Sequence, residues 1–173
     1  AGADGSQPAY LTVMGGILYF QAFNGVDGYE LWRSDGTTAG TYMVKDINDD
    51  PEGSSSPQWL YVMGDTLYFQ ANDGENGSEL WRSNGTAGGT SMVKNIRAGD
   101  AWSTPSDFSS VGGILYFGAD DGSVGKELWR SDGTAGGTYL IKDINEGAGA
   151  SGIINLTPYK GAMYFTASDG NGA

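Results

Sequence analysis

The sequence predicts an all-β fold of tandem four-stranded antiparallel repeats, and three observations carry that prediction. Similar segments recur at a period of about 48 residues, read from Trp32 to Trp81 to Trp129. Each period holds four short apolar or aromatic runs separated by turn signals. Glycine is over-used, at 30 of 173 residues, yet it recurs at fixed places between those runs, where turns and not disorder would put it.

The elements follow in order within each copy. Residues 17–47 read ILYFQAFNGVDGYELWRSDGTTAGTYMVKDI, and residues 66–96 and 114–144 repeat the text closely. A further copy starts as AMYFTASDGNGA at residues 162–173. The first run of a repeat is LTVM, with LYVM as its second copy. It joins the next run through Gly15-Gly16, Gly64-Asp65, Gly112-Gly113 or Lys160-Gly161, the glycine-containing two-residue joints that primed hairpin turns need, because those turns require positive φ. The second run, LYFQA, is rich in strand-favouring aromatics. The third, ELWRS, follows an Asx/Gly-rich loop, and the fourth, TYMVKDI, follows the turn that starts at Asp35. Helix is nowhere required.

Apolar side chains fall on both faces of these runs, as at Leu18, Tyr19 and Phe20 or at Leu31 and Trp32, so each sheet needs cover on both sides. Four-stranded sheets repeated at this period and sandwiched between their own copies describe blades of a β-propeller. The alternative is an open β-solenoid or array, whose coils are usually shorter and less regularly four-stranded. The chain divides into one repeat array: the tail of a preceding repeat at 1–9, repeats at 10–58, 59–106 and 107–156, and a partial repeat at 157–173. About three and a half blades fall short of the ~4 to 8 of a closed ring. The expectation is therefore self-association, or further repeats that complete the array, or an array that stays open. The opening on Ala1 fits a mature form or a piece of a longer chain.

Composition narrows the function. With 21 acidic and 9 basic residues the net charge is −12, which disfavours nucleic acid and anionic membrane surfaces as partners. No cysteine and no histidine are present, so disulfides, cysteine or histidine metal sites and histidine acid/base chemistry are excluded. No apolar stretch approaches the ~18 residues of a membrane span, and no signal-peptide layout opens the chain.

The recurring residues suggest sites and also plainer roles. Glu30, Glu79 and Glu127 each precede Arg33, Arg82 and Arg130 by three positions. Along a strand that spacing puts them on opposite faces, so ion pairs or hydrogen bonds between neighbouring repeats are expected. Trp32, Trp81 and Trp129 read as core, whereas Trp59 and Trp102, near loops and off the repeat's signature position, are the candidate platforms for sugar stacking. The loops containing Asn72, Asp73, Glu75, Asn76, Asp120 and Asp121 offer hard oxygens for calcium, but their spacing matches no EF-hand and Asx-Gly loops are ordinary connections. Paired carboxylates can hydrolyse glycosides, yet no pair breaks the symmetry of the repeat, and the GTAGGT segments lack the lysine and helix of a phosphate-binding loop.

At residues 30–41, 79–90 and 127–138 the text ELWRSDGTTAGT, ELWRSNGTAGGT and ELWRSDGTAGGT resembles the ELWxxDGT repeat family of bacterial proteins. The resemblance extends to LYF before and VKDI after the signature and covers nearly the whole chain. It departs at Asn84, where the signature has Asp. It implies large secreted or surface-associated bacterial proteins with propeller-like arrays, and it attaches no activity to the repeat. The turns at Asp35, Asn84 and Asp132 are also similar in character to the Asp-box of sialidase-type propellers. An Asp or Asn side chain there bonds backbone amides two residues on while Gly supplies the left-handed position. The expected function is a non-catalytic extracellular or cell-surface scaffold or binding module for a protein or glycan ligand, with calcium-assisted adhesion as one form of it. Lectin-like carbohydrate binding is the alternative, and a carboxylate glycoside hydrolase the third reading.

Overall fold

A computed structural model of the chain describes residues 5–171. Residues 1–4 and 172–173, which include the start of the expected tail 1–9 and the end of the expected partial repeat 157–173, lie outside the described residues. The described residues contain strands and turns with no helix.

Three four-stranded antiparallel sheets and one two-stranded sheet follow one another along the chain. The first holds β1 (Ala9–Met14), β2 (Ile17–Phe23), β3 (Tyr29–Ser34) and β4 (Tyr42–Lys45). The second holds β5 (Gln58–Met63), β6 (Thr66–Asn72), β7 (Ser78–Ser83) and β8 (Ser91–Lys94). The third holds β9 (Ser106–Val111), β10 (Ile114–Asp120), β11 (Lys126–Ser131) and β12 (Tyr139–Lys142), and the last pairs β13 (Ile154–Tyr159) with β14 (Ala162–Thr166). Each four-stranded sheet is a simple meander, as the four runs per period predict, and the last is a hairpin. The hairpin joints behave as their residues require: Gly112 and Gly113 sit at φ +61° and +76°, and Lys160 and Gly161 at +48° and +80°.

The sheets pack face to face. In the contact between the first two, Met14, Tyr19, Leu31 and Val44 of one meet Leu67, Phe69, Ala71 and Trp81 of the next. Between the second and third, Tyr68, Leu80, Val93 and Ile96 meet Leu115, Phe117, Ala119 and Trp129. Burying each large side chain of this kind contributes about 1.5–3 kcal/mol. The first strands of successive sheets are neighbours, β1 with β5, β5 with β9 and β9 with β13.

Polar groups fix the register between sheets. Lys45 Nζ donates to the Thr90 carbonyl at 3.2 Å and stands 5.7 Å from the Trp81 ring centre; Lys94 repeats this with Thr138 at 2.7 Å and Trp129 at 6.0 Å. Near the first strands, Thr12 Oγ1 donates to the Leu60 carbonyl at 3.1 Å, and the Tyr61 and Ser110 hydroxyls lie 3.0 Å apart.

Candidate functional site

The glutamates of the signature lie inside the protein. Glu30, Glu79 and Glu127 are 0 % exposed. The ion pairs or hydrogen bonds between neighbouring repeats that were expected do not involve these glutamates among the described residues: their carboxylates accept backbone amides of the segment that crosses from the fourth strand of one sheet to the first strand of the next. Glu79 Oε2 accepts from the Ile96 amide at 2.7 Å and the Ser103 hydroxyl at 2.7 Å, while Oε1 accepts from the Arg97 and Ser103 amides, both at 3.3 Å. Glu30 does the same with Ile47, Asn48 and Ser55. In repeat three Glu127 Oε2 takes the Ile144 amide at 3.1 Å, and the Ser151 hydroxyl turns to the Lys126 carbonyl. The correction has a physical reason. A buried carboxylate needs several donors, and a crossing segment with unpaired amides supplies them. Of the arginines, Arg82 makes a hydrogen bond between repeats of the expected kind, Nη1 donating to the Gly133 carbonyl of the next repeat at 2.9 Å, while Arg33 lies 5.2 Å from the ring centre of Tyr42 and Arg130 5.2 Å from that of Tyr139.

This burial makes stability depend on pH. Burial pushes the Glu30 carboxyl up from 4.5 to about 7, against the hydrogen bonds from Ser55, Ile47 and Asn48, which lower it. Glu79 is raised for the same reason. The folded state therefore binds more protons than the unfolded one between these values, so stability is greater below about 4.5 and is lost as pH rises through about 7. The exposed turn residues Asp35 and Asp132 have the opposite sign. The Thr37 and Thr134 hydroxyls hold them low, so their contribution is lost only as pH falls below the usual carboxylate range. The expected result is a melting temperature higher at pH 5.5 than at pH 7.5 by roughly 2–4 °C, the shift that ~1 kcal/mol produces in a chain of this size. Glu30→Gln should flatten that slope, and a wild-type slope of opposite sign would reject the account.

The signature turns do what their residues predict. Asp35 Oδ1 accepts from the Thr37 amide at 2.9 Å and hydroxyl at 2.7 Å, and Thr37 Oγ1 in turn accepts from the Gly40 amide at 3.0 Å. Asp132 repeats the pattern with Thr134 and Gly137. Asn84 uses its amide oxygen for the same bonds to Thr86, at 3.1 and 2.7 Å, so no negative charge is needed there.

Of the three signature tryptophans expected in the core, two are there and Trp32 is not, because it lines an open concavity. Trp81 and Trp129 are core, and Trp32 is half-buried. Trp59 and Trp102 are exposed, at 46 % and 58 %. Trp59 shares a shallow groove of about 260 Å³ with Tyr10, Leu11 and Phe108.

In the loops expected to hold calcium, most candidate oxygens already act in turns. Asp73 Oδ1 accepts from the Glu75 and Asn76 amides and Oδ2 from the Asn76 side chain; Asn72 Oδ1 takes the Gly74 amide. Asp121 Oδ1 takes the Ser123 and Val124 amides, and Asp120 accepts from Gly122 and pairs with Arg97 at 3.0 Å. Carboxylate crowding occurs instead in repeat one, where burial, followed by the charges of Asp27 and Asp49, raises Asp46.

Two sets of residues escape a reading by signature. Ser55, Ser103 and Ser151 are all fully buried, and their recurrence just before Pro57, Pro105 and Ile153 was the available signal. Tyr10, Trp59, Asp107 and Asn155 occupy matching places on the four first strands with φ between +55° and +59°, beside the register shift in each strand. Bulges of this kind re-aim a side chain, but the four residue types differ, so no sequence repeat marks the position. Asp107 lies 3.8 Å from Lys126 Nζ, which donates to Ser106 Oγ at 2.6 Å. Ser106 is buried, so this trio binds the first strand to β11.

The chain matches no family model and no curated protein. It is similar to the crystal structure of the computationally designed Ika8 protein, with a TM-score of 0.50 and 16 % identity over 92 % of this chain. The chain spans 42 % of that structure's length. At this identity the likeness shows the fold alone: an all-β protein of successive antiparallel sheets.

Proposed function

We propose that the chain is a non-catalytic scaffold of ELWxxDGT-type repeats, its sheets standing as successive blades of a β-propeller, in a secreted or cell-surface protein of bacteria. One observation carries the reading. The acidic and amide residues that recur in the three signatures are bonded to the protein's own backbone, the glutamates in the interior, Glu127 through Oε2 alone, and Asp35, Asn84 and Asp132 in their turns. A catalytic or ligand-binding signature would leave such groups free in a cleft. The face-to-face sheets with adjacent first strands support the blade arrangement. The resemblance supports the location.

The test is a pair of titrations on the folded chain. With most of the candidate loop oxygens already engaged in turns, millimolar calcium and chelator should give the same melting temperature, because a ligand at 100-fold its dissociation constant would add ~2.7 kcal/mol. A calcium-specific rise of several degrees would replace the metal-free scaffold with calcium-dependent adhesion. A saccharide-binding module is the second reading, favoured by the exposure of Trp59 beside Tyr10 in one groove. Saturable quenching of tryptophan fluorescence by a glycan, lost in Trp59→Ala, would establish it. The scaffold reading expects no quenching.

A further inference from the structure

Three Asn-Gly steps lie within the described residues: Asn24-Gly25, Asn76-Gly77 and Asn84-Gly85. At such a step a backbone amide can reach the side-chain carbonyl carbon of the residue before it, because Gly puts no Cβ in the way. The three differ in what surrounds the attacking nitrogen. The Gly85 amide donates to the Ser83 hydroxyl at 2.9 Å, and Gly85 is buried. Gly77 is buried as well, so close to the crossing segment that a Cβ on it would collide with the Ala101 carbonyl. Gly25 is exposed, a Cβ on it would meet nothing within 4 Å, and its amide makes no hydrogen bond among the described residues.

Asn24 is prepared on the receiving side. Its Oδ1 accepts from the Val26 amide at 2.9 Å and the Asp27 amide at 2.8 Å, and its Nδ2 donates to Asp27 Oδ2 at 2.6 Å. The two amides face the oxygen that becomes negative when Cγ is attacked, and the Asp27 carboxylate stands beside the amide that must leave. Thr86 holds the Asn84 Oδ1 through its own amide and hydroxyl, so the nitrogen and not the carbonyl distinguishes the two steps.

We infer that Asn24 is a self-modification site, which loses its side-chain amide to attack by Gly25. The Gly25 nitrogen bonds to Asn24 Cγ, the Cγ–Nδ2 bond breaks, and the proton of the Gly25 amide passes by way of the Asp27 carboxylate to the departing nitrogen, which leaves as ammonia. Water then opens the cyclic imide at either carbonyl, giving aspartate or its isoaspartyl isomer.

The other repeats show what the product meets. Asp73 and Asp121 hold the place of Asn24, and each accepts the amides two and three residues on. In repeat two the residue facing that aspartate is Asn76, whose side chain donates to it at 2.8 Å; in repeat three it is Val124. In repeat one it is Asp27. The reaction therefore gives the turn the aspartate of the other repeats and turns the Asn24–Asp27 hydrogen bond into a pair of like charges, each disfavouring the other. The inference depends on this loop and on neither the scaffold reading nor the location.

Peptide mapping by mass spectrometry of the folded chain, held at mildly alkaline pH, reads each step. The Asn24 peptide should gain the mass of an amide-to-acid exchange and split into aspartyl and isoaspartyl products. It should do so roughly tenfold faster than the Asn84 peptide, the factor imposed by ~1.4 kcal/mol for releasing the Gly85 amide from Ser83. In denaturant the two steps should react alike. An Asn24 that stays intact, or that reacts no faster than Asn84 in the folded chain, would overturn the proposal, and so would the folded order persisting in denaturant. Asn24→Asp should also melt below wild type, and adding Asp27→Asn, which copies the Asp73–Asn76 arrangement, should restore the midpoint. An Asn24→Asp variant that melts like wild type would overturn the consequence drawn for Asp27.

Discussion

Replacing Glu79 with alanine is expected to cost roughly 2–5 kcal/mol of folding stability, the scale of leaving several buried neutral donors without an acceptor. The carboxylate is 0 % exposed and accepts from the amides of Ile96, Arg97 and Ser103 and from the Ser103 hydroxyl. Alanine leaves these donors without an acceptor in a place that water reaches poorly, at ~1–3 kcal/mol for each group left buried and unpaired. Ser103→Ala removes a single donor and should cost about 1 kcal/mol. Denaturant unfolding at neutral pH distinguishes the two variants. Equal and small losses would mean that the crossing segment is held by apolar packing, and that the recurring glutamate is dispensable.

Gly77→Ala should cost roughly 2–5 kcal/mol, by adding two effects that a control can separate. The residue sits at φ +69°, where a Cβ is strained, and that Cβ would lie 2.4 Å from the Ala101 carbonyl oxygen and 2.7 Å from that of Asp100. Left-handed backbone costs an L-residue ~1–2 kcal/mol, and forcing backbone apart in a packed region adds ~1–3 kcal/mol. Gly99, at φ +88° with nothing within 4 Å, carries the first penalty without the second. The thermal unfolding of Gly77→Ala should therefore fall well below that of Gly99→Ala. If the two coincide, the close approach between the loop and the crossing segment contributes nothing. The matching approach of Gly28 to the Gly53 carbonyl and of Gly125 to the Ala148 carbonyl predicts the same contrast in the other repeats.

Much of this structure was legible one repeat at a time. The four strands per period, the hairpins at Gly112-Gly113 and Lys160-Gly161, and the equivalence of Asn84 to Asp35 and Asp132 all follow from interactions within a few residues. Apolar runs, positive φ and an oxygen two residues before an amide act locally, and a repeated text states them several times. The partners of the glutamates were not legible in that way. Glu79 and Ser103 are 24 residues apart, and Glu and Arg at a fixed spacing resemble an ion pair until the crossing segment is seen to fill the space between them. The tryptophans show the same limit. Trp32 and Trp81 hold the same place in the repeated text, and only the fold buries the second and leaves the first lining an open concavity. Turn and strand preferences are properties of short stretches of chain, whereas burial and pairing depend on which distant stretch comes to rest against them.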